Sequence, residues 1–538
     1  MENIKGKDLD ESLLDFFDIS IYLIKFVYQN HLKLQYMLTL PFFKSLIKLI
    51  IPVVVTLWSY SGFGQVLVGS NPADTLNKSA QLEARSTNKG FLPPVMSSSM
   101  RRGILNPAQG LMVYDSTRQK MFVYTKEGWK PLLFGIDSSD FGLPDKPFVP
   151  GLTSGDNLGV STAMGNEFAV AGAFSDDVDS KVDQGSVTVF KKEGGKWTFY
   201  TKITASDGQA GDNFGRSVAI SGDVILVGAP LNNSLENNDE GAVYVYKIVD
   251  GTIQFQQKIR GNGASTGDRF GSSIIIKGGE LVIGAPYDDI GSNADQGSVY
   301  FFSPTEAGQW VQYQKYFYPN GEPSDLFGNG ISLDNNQLSV GNECVNVSLN
   351  YGYSQNAVHL FTKTDGVWIH QVKINQPDNF DKRDGFGIST SLKGDILVVG
   401  AWLHDVPTGN KDRGAAYVFK RNVGSWQLMQ KIVPTDVSSG APGNTYGDYF
   451  GYSMSRDGNN LIIGANWEDF SPGVNDRGVV YLYELAGNEF ILKKQLKVAD
   501  AQNQELFGFS CTILGEDIMI GAIGRDNYSG AVYFIGKD

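Results

Sequence analysis

Asp212-Asn213-Phe214-Gly215, then Gly228-Ala229-Pro230, then Gly241-Ala242-Val243-Tyr244-Val245-Tyr246 is the stretch that decides the fold, because it returns along the chain. An acidic residue, an apolar residue two positions on and then glycine occur at Asp156/Leu158-Gly159, Asp212/Phe214-Gly215, Asp268/Phe270-Gly271, Asp325/Phe327-Gly328, Asp384/Phe386-Gly387, Asp448/Phe450-Gly451 and Glu505/Phe507-Gly508. These glycines lie 56 to 64 residues apart. Thirteen residues after each comes another: Gly172, Gly228, Gly284, Gly341, Gly400, Gly464 and Gly521. An interval that never varies marks a hairpin in fixed register, since a one-residue slip would turn its apolar face outward. A third strand-like run follows each hairpin, from Val187–Phe190 to Val532–Ile535, and a fourth follows in six units, as in Trp197–Ile203 and Trp426–Ile432. No useful helical period intervenes. Seven such units predict an all-β chain in which residues 151–538 form a seven-bladed β-propeller of four-stranded blades.

The composition agrees. Of 538 residues, 63 are glycine, about 12% against a usual ~7%. Charged residues are 19%, too few for long solvated helices. The net charge of −13 repels phosphate backbones, so nucleic acid is a poor partner and cations, sugars or basic protein surfaces suit better. Two cysteines and four histidines exclude a disulfide scaffold and a Cys-rich zinc site.

Residues 1–64 read as a targeting segment. Leu49–Trp58 is an apolar run of ten after Lys44 and Lys48, too short to span a bilayer but suited to a signal peptide over about 37–64, cut before Gln65. Met37 then serves as the start and 1–36 as an over-extended gene model. A signal anchor over 38–60 is the other reading. No stable membrane span is expected after cleavage. Residues 65–133 read as a leader and small β-hairpin module. Residues 134–150 are a linker or closing strand. The last unit has three strand-like runs, so a strand between Trp129 and Val149 is expected to pair with Val532–Ile535.

The Phe-Gly, Gly-Ala-Pro and Gly-x-Val-Tyr-x-Phe/Tyr pattern resembles the FG-GAP repeat of integrin-α-like propellers over about 151–538. The leader resembles those of exported Bacteroidetes proteins. The first resemblance implies a binding or adhesion module, the second a secreted or cell-surface location. One departure stands out. Family members often carry an Asp-x-Asp-x-Asp-Gly calcium loop between strands one and two, whereas that connection here is as short as Ser221-Gly222-Asp223.

In a propeller, the acidic residue before Phe-Gly and the loop between strands two and three fall on one face. That face carries the candidate ligand residues Asp176, Asp177, Asp288, Asp289, Trp402, His404, Asp405, Trp467 and Asp469. Exposed aromatics beside carboxylates suit sugar or peptide contact, while burial between blades suits the tryptophans equally well. Asp179, Asp183, Asp239, Asp295, Asp412 and Asp476 are candidate metal ligands, because clustered carboxylates favour a hard cation such as Ca²⁺. The last five each begin an Asp-x-Gly turn, where aspartate also caps backbone N–H groups. No catalytic constellation assembles. The expected function is recognition of a protein or glycan ligand by loops on one face. A propeller-fold hydrolase or lyase with a channel site, and a structural surface-layer spacer, are the alternatives.

Overall fold

The computed structural model describes residues 66–69, 82–85, 93–104, 106–116, 120–126, 128–131, 144–342, 356–378, 384–405, 412–434, 447–468, 476–498 and 500–536. The targeting segment, Asp469 and the loop from Cys344 to Gln355 lie outside them. Two compact units divide the chain at Leu132/Leu133.

The first unit holds a four-stranded sheet. Its order is Val95–Met96, Met112–Asp115, Lys120–Thr125 and Gly128–Pro131. A five-residue helix, Ser98–Arg102, packs on it. Asp115 is fully buried and is neutralised by Arg101 Nε at 2.8 Å, with Ser98 Oγ donating to it as well. The Arg101 guanidinium lies 3.8 Å from the Phe122 ring centroid. Residues 111–131 therefore complete a sheet of their own.

The second unit is a series of seven antiparallel sheets, six of four strands and one of three among the described residues. The second shows the plan: Ser217–Ser221, Val224–Ala229, Ala242–Val243 onward to Val249, and Thr252–Ile259, in that spatial order. The second strand and the first five residues of the third are buried almost throughout and read as apolar runs of Val, Ile, Leu, Ala and Tyr, whereas the outer strand is mostly exposed or half-buried. Phenylalanine of each Phe-Gly packs edge-on against the tyrosine of the third strand, as in Phe214–Tyr244 at 5.2 Å, Phe270–Tyr300 at 5.1 Å and Phe507–Tyr533 at 5.4 Å. Such pairs add about 0.5–1.5 kcal/mol beyond their buried area. In the fourth unit His359 takes the tyrosine place, 5.2 Å from Phe327; burial, with His370 and Lys373 adding to it, pushes its pKa down to about 2.

Glycine explains how the sheets approach one another. A Cβ on Gly228 would lie 2.2 Å from the carbonyl oxygen of Gly271, the Phe-Gly glycine of the next unit. The same contact joins Gly172 to Gly215, Gly284 to Gly328, Gly341 to Gly387, Gly400 to Gly451 and Gly464 to Gly508. It also joins Gly521 of the last unit to Gly159 of the first, at 2.0 Å. Serine reinforces six of the seven steps, and in the fourth unit Gly330 stands in its place. Ser217 Oγ donates to Gly271 O at 2.6 Å, and Ser510 Oγ donates to Gly159 O at 2.7 Å. At the outer edge, glutamine side chains imitate a strand. Gln314 Nε2 donates to Trp368 O at 2.8 Å while Trp368 N donates to Gln314 Oε1 at 2.9 Å, and Gln257 and Gln430 repeat this with Trp310 and Phe490.

The first and last sheets touch directly. Phe507–Leu514 packs on Thr162–Met164, and Thr162 Oγ1 lies 3.1 Å from Thr512 Oγ1. Among the described residues, the segment before the repeats contributes a single antiparallel bridge: Asp145 N donates to Phe534 O and Phe534 N to Asp145 O. Pairing with the final strand thus occurs at Asp145, as a bridge rather than a ladder.

Candidate functional site

Each unit buries a polar cluster beneath its loops. The acid before Phe-Gly turns inward and accepts a backbone N–H three residues upstream: Asp156 from Thr153, Asp212 from Gln209, Asp268 from Ser265 and Glu505 from Gln502. Four residues after the strand-two glycine stands a second buried group, which is Asp176, Asn232, Asp288, His404, Glu468 or Arg525.

Three candidate ligand residues fall in that buried position, and this corrects the expectation for them. Asp176 is 3% exposed and pairs with Lys202 and Ser186. Asp288 is 2% exposed and pairs with Lys315, Ser298 and Tyr300. His404 is 1% exposed, with Nδ1 2.6 Å from Asp384 and Nε2 2.8 Å from Lys431 Nζ. Their polar atoms are spent inside the fold, because a charge removed from water must be paired there. Sequence alone placed them on the loops but could not show which way each side chain turned.

Asp268 gives the cluster a pH dependence. Burial, and then the neighbouring Asp288 carboxylate, push its pKa up to about 6 against the hydrogen bonds from Ser265. The folded protein therefore holds this proton more tightly than the unfolded chain. Stability from this group is full below about pH 4, falls as pH rises from 4 to 6 and stays lower above. Asp268→Asn is expected to match the wild type at pH 4 and to melt higher at pH 7, by at most about 3 kcal/mol. Melting curves across that range check it.

The candidate metal residues are turn residues as placed. Asp179, Asp183, Asp239, Asp295, Asp412 and Asp476 all hold left-handed backbone, with φ from 50° to 57°. The carbonyls of the last five accept the N–H of the residue before the next Phe: Asn213, Arg269, Leu326, Tyr449 and Leu506. Asp177, Asp289 and Asp405 cap the same loops, accepting N–H from Asp183, Asp295 and Asp412 at 2.8–2.9 Å. The carboxylates come as pairs, and burial together with Asp289 pushes Asp295 above the usual carboxylate range. Among the described residues no three His, Cys, Asp or Glu side chains converge as a metal site would need. Calcium bonding of the family kind therefore has no fitting donor set there.

Trp402 and Trp467 are brought together. Trp402 meets Tyr449 edge-on at 4.8 Å and Tyr452 at 5.5 Å, and Tyr449 meets Trp467 at 5.3 Å. Trp402 and Tyr452, but not Trp467, line a cavity of about 450 Å³ shared by five successive units, from Asn213 and Arg216 through Arg269, Tyr287 and Asn329 to Tyr452. Residues from five units can share one cavity only where the sheets converge. The sequence reading missed Arg216, Arg269 and Tyr287. For Arg216 a signal was available: the slot after each Phe-Gly, or Leu-Gly in the first unit, holds Val160, Arg216, Ser272, Asn329, Ile388, Tyr452 and Phe509, varied side chains between fixed neighbours. Cys511 plays no part here. It is buried against Ser453 Oγ, and burial pushes its thiol up to about 12.

Fold and loops together define an all-β repeat protein with its variable side chains gathered at one end. The family model described as FG-GAP repeat matches residues 197–246, 253–302, 368–419 and 426–483, each running from the fourth strand of one unit to the third of the next. The chain carries four FG-GAP repeats by this match, and its repeats are integrin-alpha-like. It is 34% identical over 142 residues to integrin alpha-PS5 of Drosophila melanogaster, covering 23% of this chain and 14% of that protein. It is 28% identical over 100 residues to integrin alpha-2 of Bos taurus, covering 17% and 8%. The chain thus spans a small part of these relatives. Residues 69–142 match a phage tail like trimerisation region. Two solved structures of putative 6-phosphogluconolactonases are also similar. That from Bacteroides uniformis has TM-score 0.43 and 10% identity over 68% of this chain and 90% of its own, and that from Bacteroides fragilis has 0.41 and 14% over 71% and 91%. At those scores they lend nothing to the reading of this site. No helix among the described residues is long and apolar enough to cross a membrane.

Proposed function

We propose that the seven sheets close as a seven-bladed β-propeller that acts as an exported, non-enzymatic binding module, recognising a protein or glycan ligand through the loop end of the ring. The observation that carries this reading is the integrin-alpha-like FG-GAP repeat itself. Its support in the geometry is a rigid scaffold whose fixed residues are spent on sheet contacts while the variable ones border a shared cavity. His404, the one histidine on that face among the described residues, is held between Asp384 and Lys431.

The trimerisation match adds a second element: three copies joined through residues 69–142 would present three rings. Avidity of that kind raises weak single-site binding by about 10²–10⁴. The test is an array of glycans and extracellular proteins probed with the purified chain, with its mass measured by light scattering. Saturable binding to one ligand class by a species of three chains supports the proposal. Absence of binding across the array, or turnover of an array member, contradicts it.

A further inference from the structure

We infer that the axial cavity is the binding site and that it takes a carboxylate-bearing saccharide. The inference rests on the loop-end binding proposed above and names its ligand class. In a chain of net charge −13, the cavity lining includes two arginines and no carboxylate. Neither arginine has a carboxylate within ion-pair distance among the described residues. Arg269 lies 4.1 Å from the Tyr287 ring centroid, and Arg216 lies 5.9 Å from that of Phe174. An arginine stacked on an aromatic ring is held in place with its hydrogen-bonding edge still free to meet a carboxylate in a bidentate pair.

The backbone points the same way. The residue between the acid and Phe is left-handed in the described units, and Asn157, Asn213 and Gly385 suit that conformation. Arg269, at φ 54°, does not suit it, and neither do Leu326, Tyr449 and Leu506, at φ 50°, 58° and 56°; Arg269 and Leu326 line the cavity and the other two do not. Arg269 thus keeps a strained backbone at a place where asparagine serves in the two preceding units. Trp402, Tyr287 and Tyr452 supply apolar ring faces and edges of the kind that pack on a sugar, while Asn213 supplies an amide for hydroxyls. A volume of about 450 Å³ suits a short oligosaccharide rather than a folded partner.

The test is titration of the full chain with tri-galacturonic acid, its fully methyl-esterified form and a poly-aspartate peptide, repeated with R269N and with R216Q/R269N. Arg269→Asn places at this position the residue that Asn157 and Asn213 supply in other units, so its melting temperature is expected within about 2 °C of wild type or above it. Expected are binding of the free acid at least tenfold tighter than of the ester, a loss of tenfold or more in R269N, and weaker binding at higher salt. Equal affinity for the ester, unchanged binding in the double variant, binding of the peptide alone or no binding of the acid each overturn the inference. If the chain binds a neutral array member and R216Q/R269N keeps that binding, the loop-end reading stands and the cavity assignment falls.

Discussion

Gly521→Ala is expected to destabilise the repeat unit by about 3 kcal/mol or more, seen as a fall in melting temperature of about 5 °C or more. The added methyl would sit 2.0 Å from the carbonyl oxygen of Gly159 and 2.5 Å from Ser510 Oγ. The first of these is backbone on the opposite sheet, so no side-chain rotation can relieve it. Relief requires the first and last sheets to separate, which also stretches the Ser510–Gly159 hydrogen bond. Gly515→Ala is the control. Unlike Gly521 it has positive φ, at 60°, but it opens onto free space, so its cost is confined to about 1–2 kcal/mol of backbone strain. Equal effects of the two substitutions would show that the close approach of the sheets is not what Gly521 is for.

Arg525→Met carries the other large effect. Glu505 is fully buried, and Arg525 Nη1 reaches it at 3.0 Å while Arg525 Nη2 reaches Asp500 at 2.9 Å. Tyr533 donates to the same carboxylate at 2.6 Å. Removing the guanidinium leaves a buried negative charge with hydrogen bonds but no counter-charge, a loss of about 3–5 kcal/mol. Glu505→Gln in the same chain removes that charge, so R525M/E505Q is expected to regain most of the loss, in keeping with the weak net value of buried ion pairs. Urea denaturation of wild type, single and double variants measures the recovery. A double variant no better than R525M would mean that the arginine acts by packing rather than by charge.

The repeat was legible because its marks are matters of backbone geometry. Only glycine allows the approach of Gly228 to Gly271, and a thirteen-residue hairpin fixes where that glycine falls. The four-strand plan followed from apolar runs and short turns. The candidate site was less legible, for two physical reasons. Side-chain direction on a loop depends on partners from other strands: Asp176 and Asp177 are adjacent, yet the first turns in toward Lys202 and the second caps the N–H of Asp183. The cavity, moreover, is assembled by one to four residues from each of five units, so no local stretch of sequence displays it. Residues chosen for acidity were mostly turn formers, while Arg216 and Arg269, overlooked beside so many carboxylates, carry the charge that the cavity presents.

Closure of the series of sheets into one ring underlies every functional statement made here, because a cavity shared by successive units exists only if they converge. Thr162 and Thr512 stand 350 residues apart in sequence, on the first and last sheets, with their hydroxyls 3.1 Å apart. In a chain whose Cys344 and Cys511 have been replaced by alanine, T162C/T512C is expected to form an intrachain disulfide on mild oxidation, since that geometry is within reach of the bond. The product would run as a compact monomer on a non-reducing gel and revert on reduction. A pair that stays reduced, or that cross-links only between chains, would contradict the closed ring.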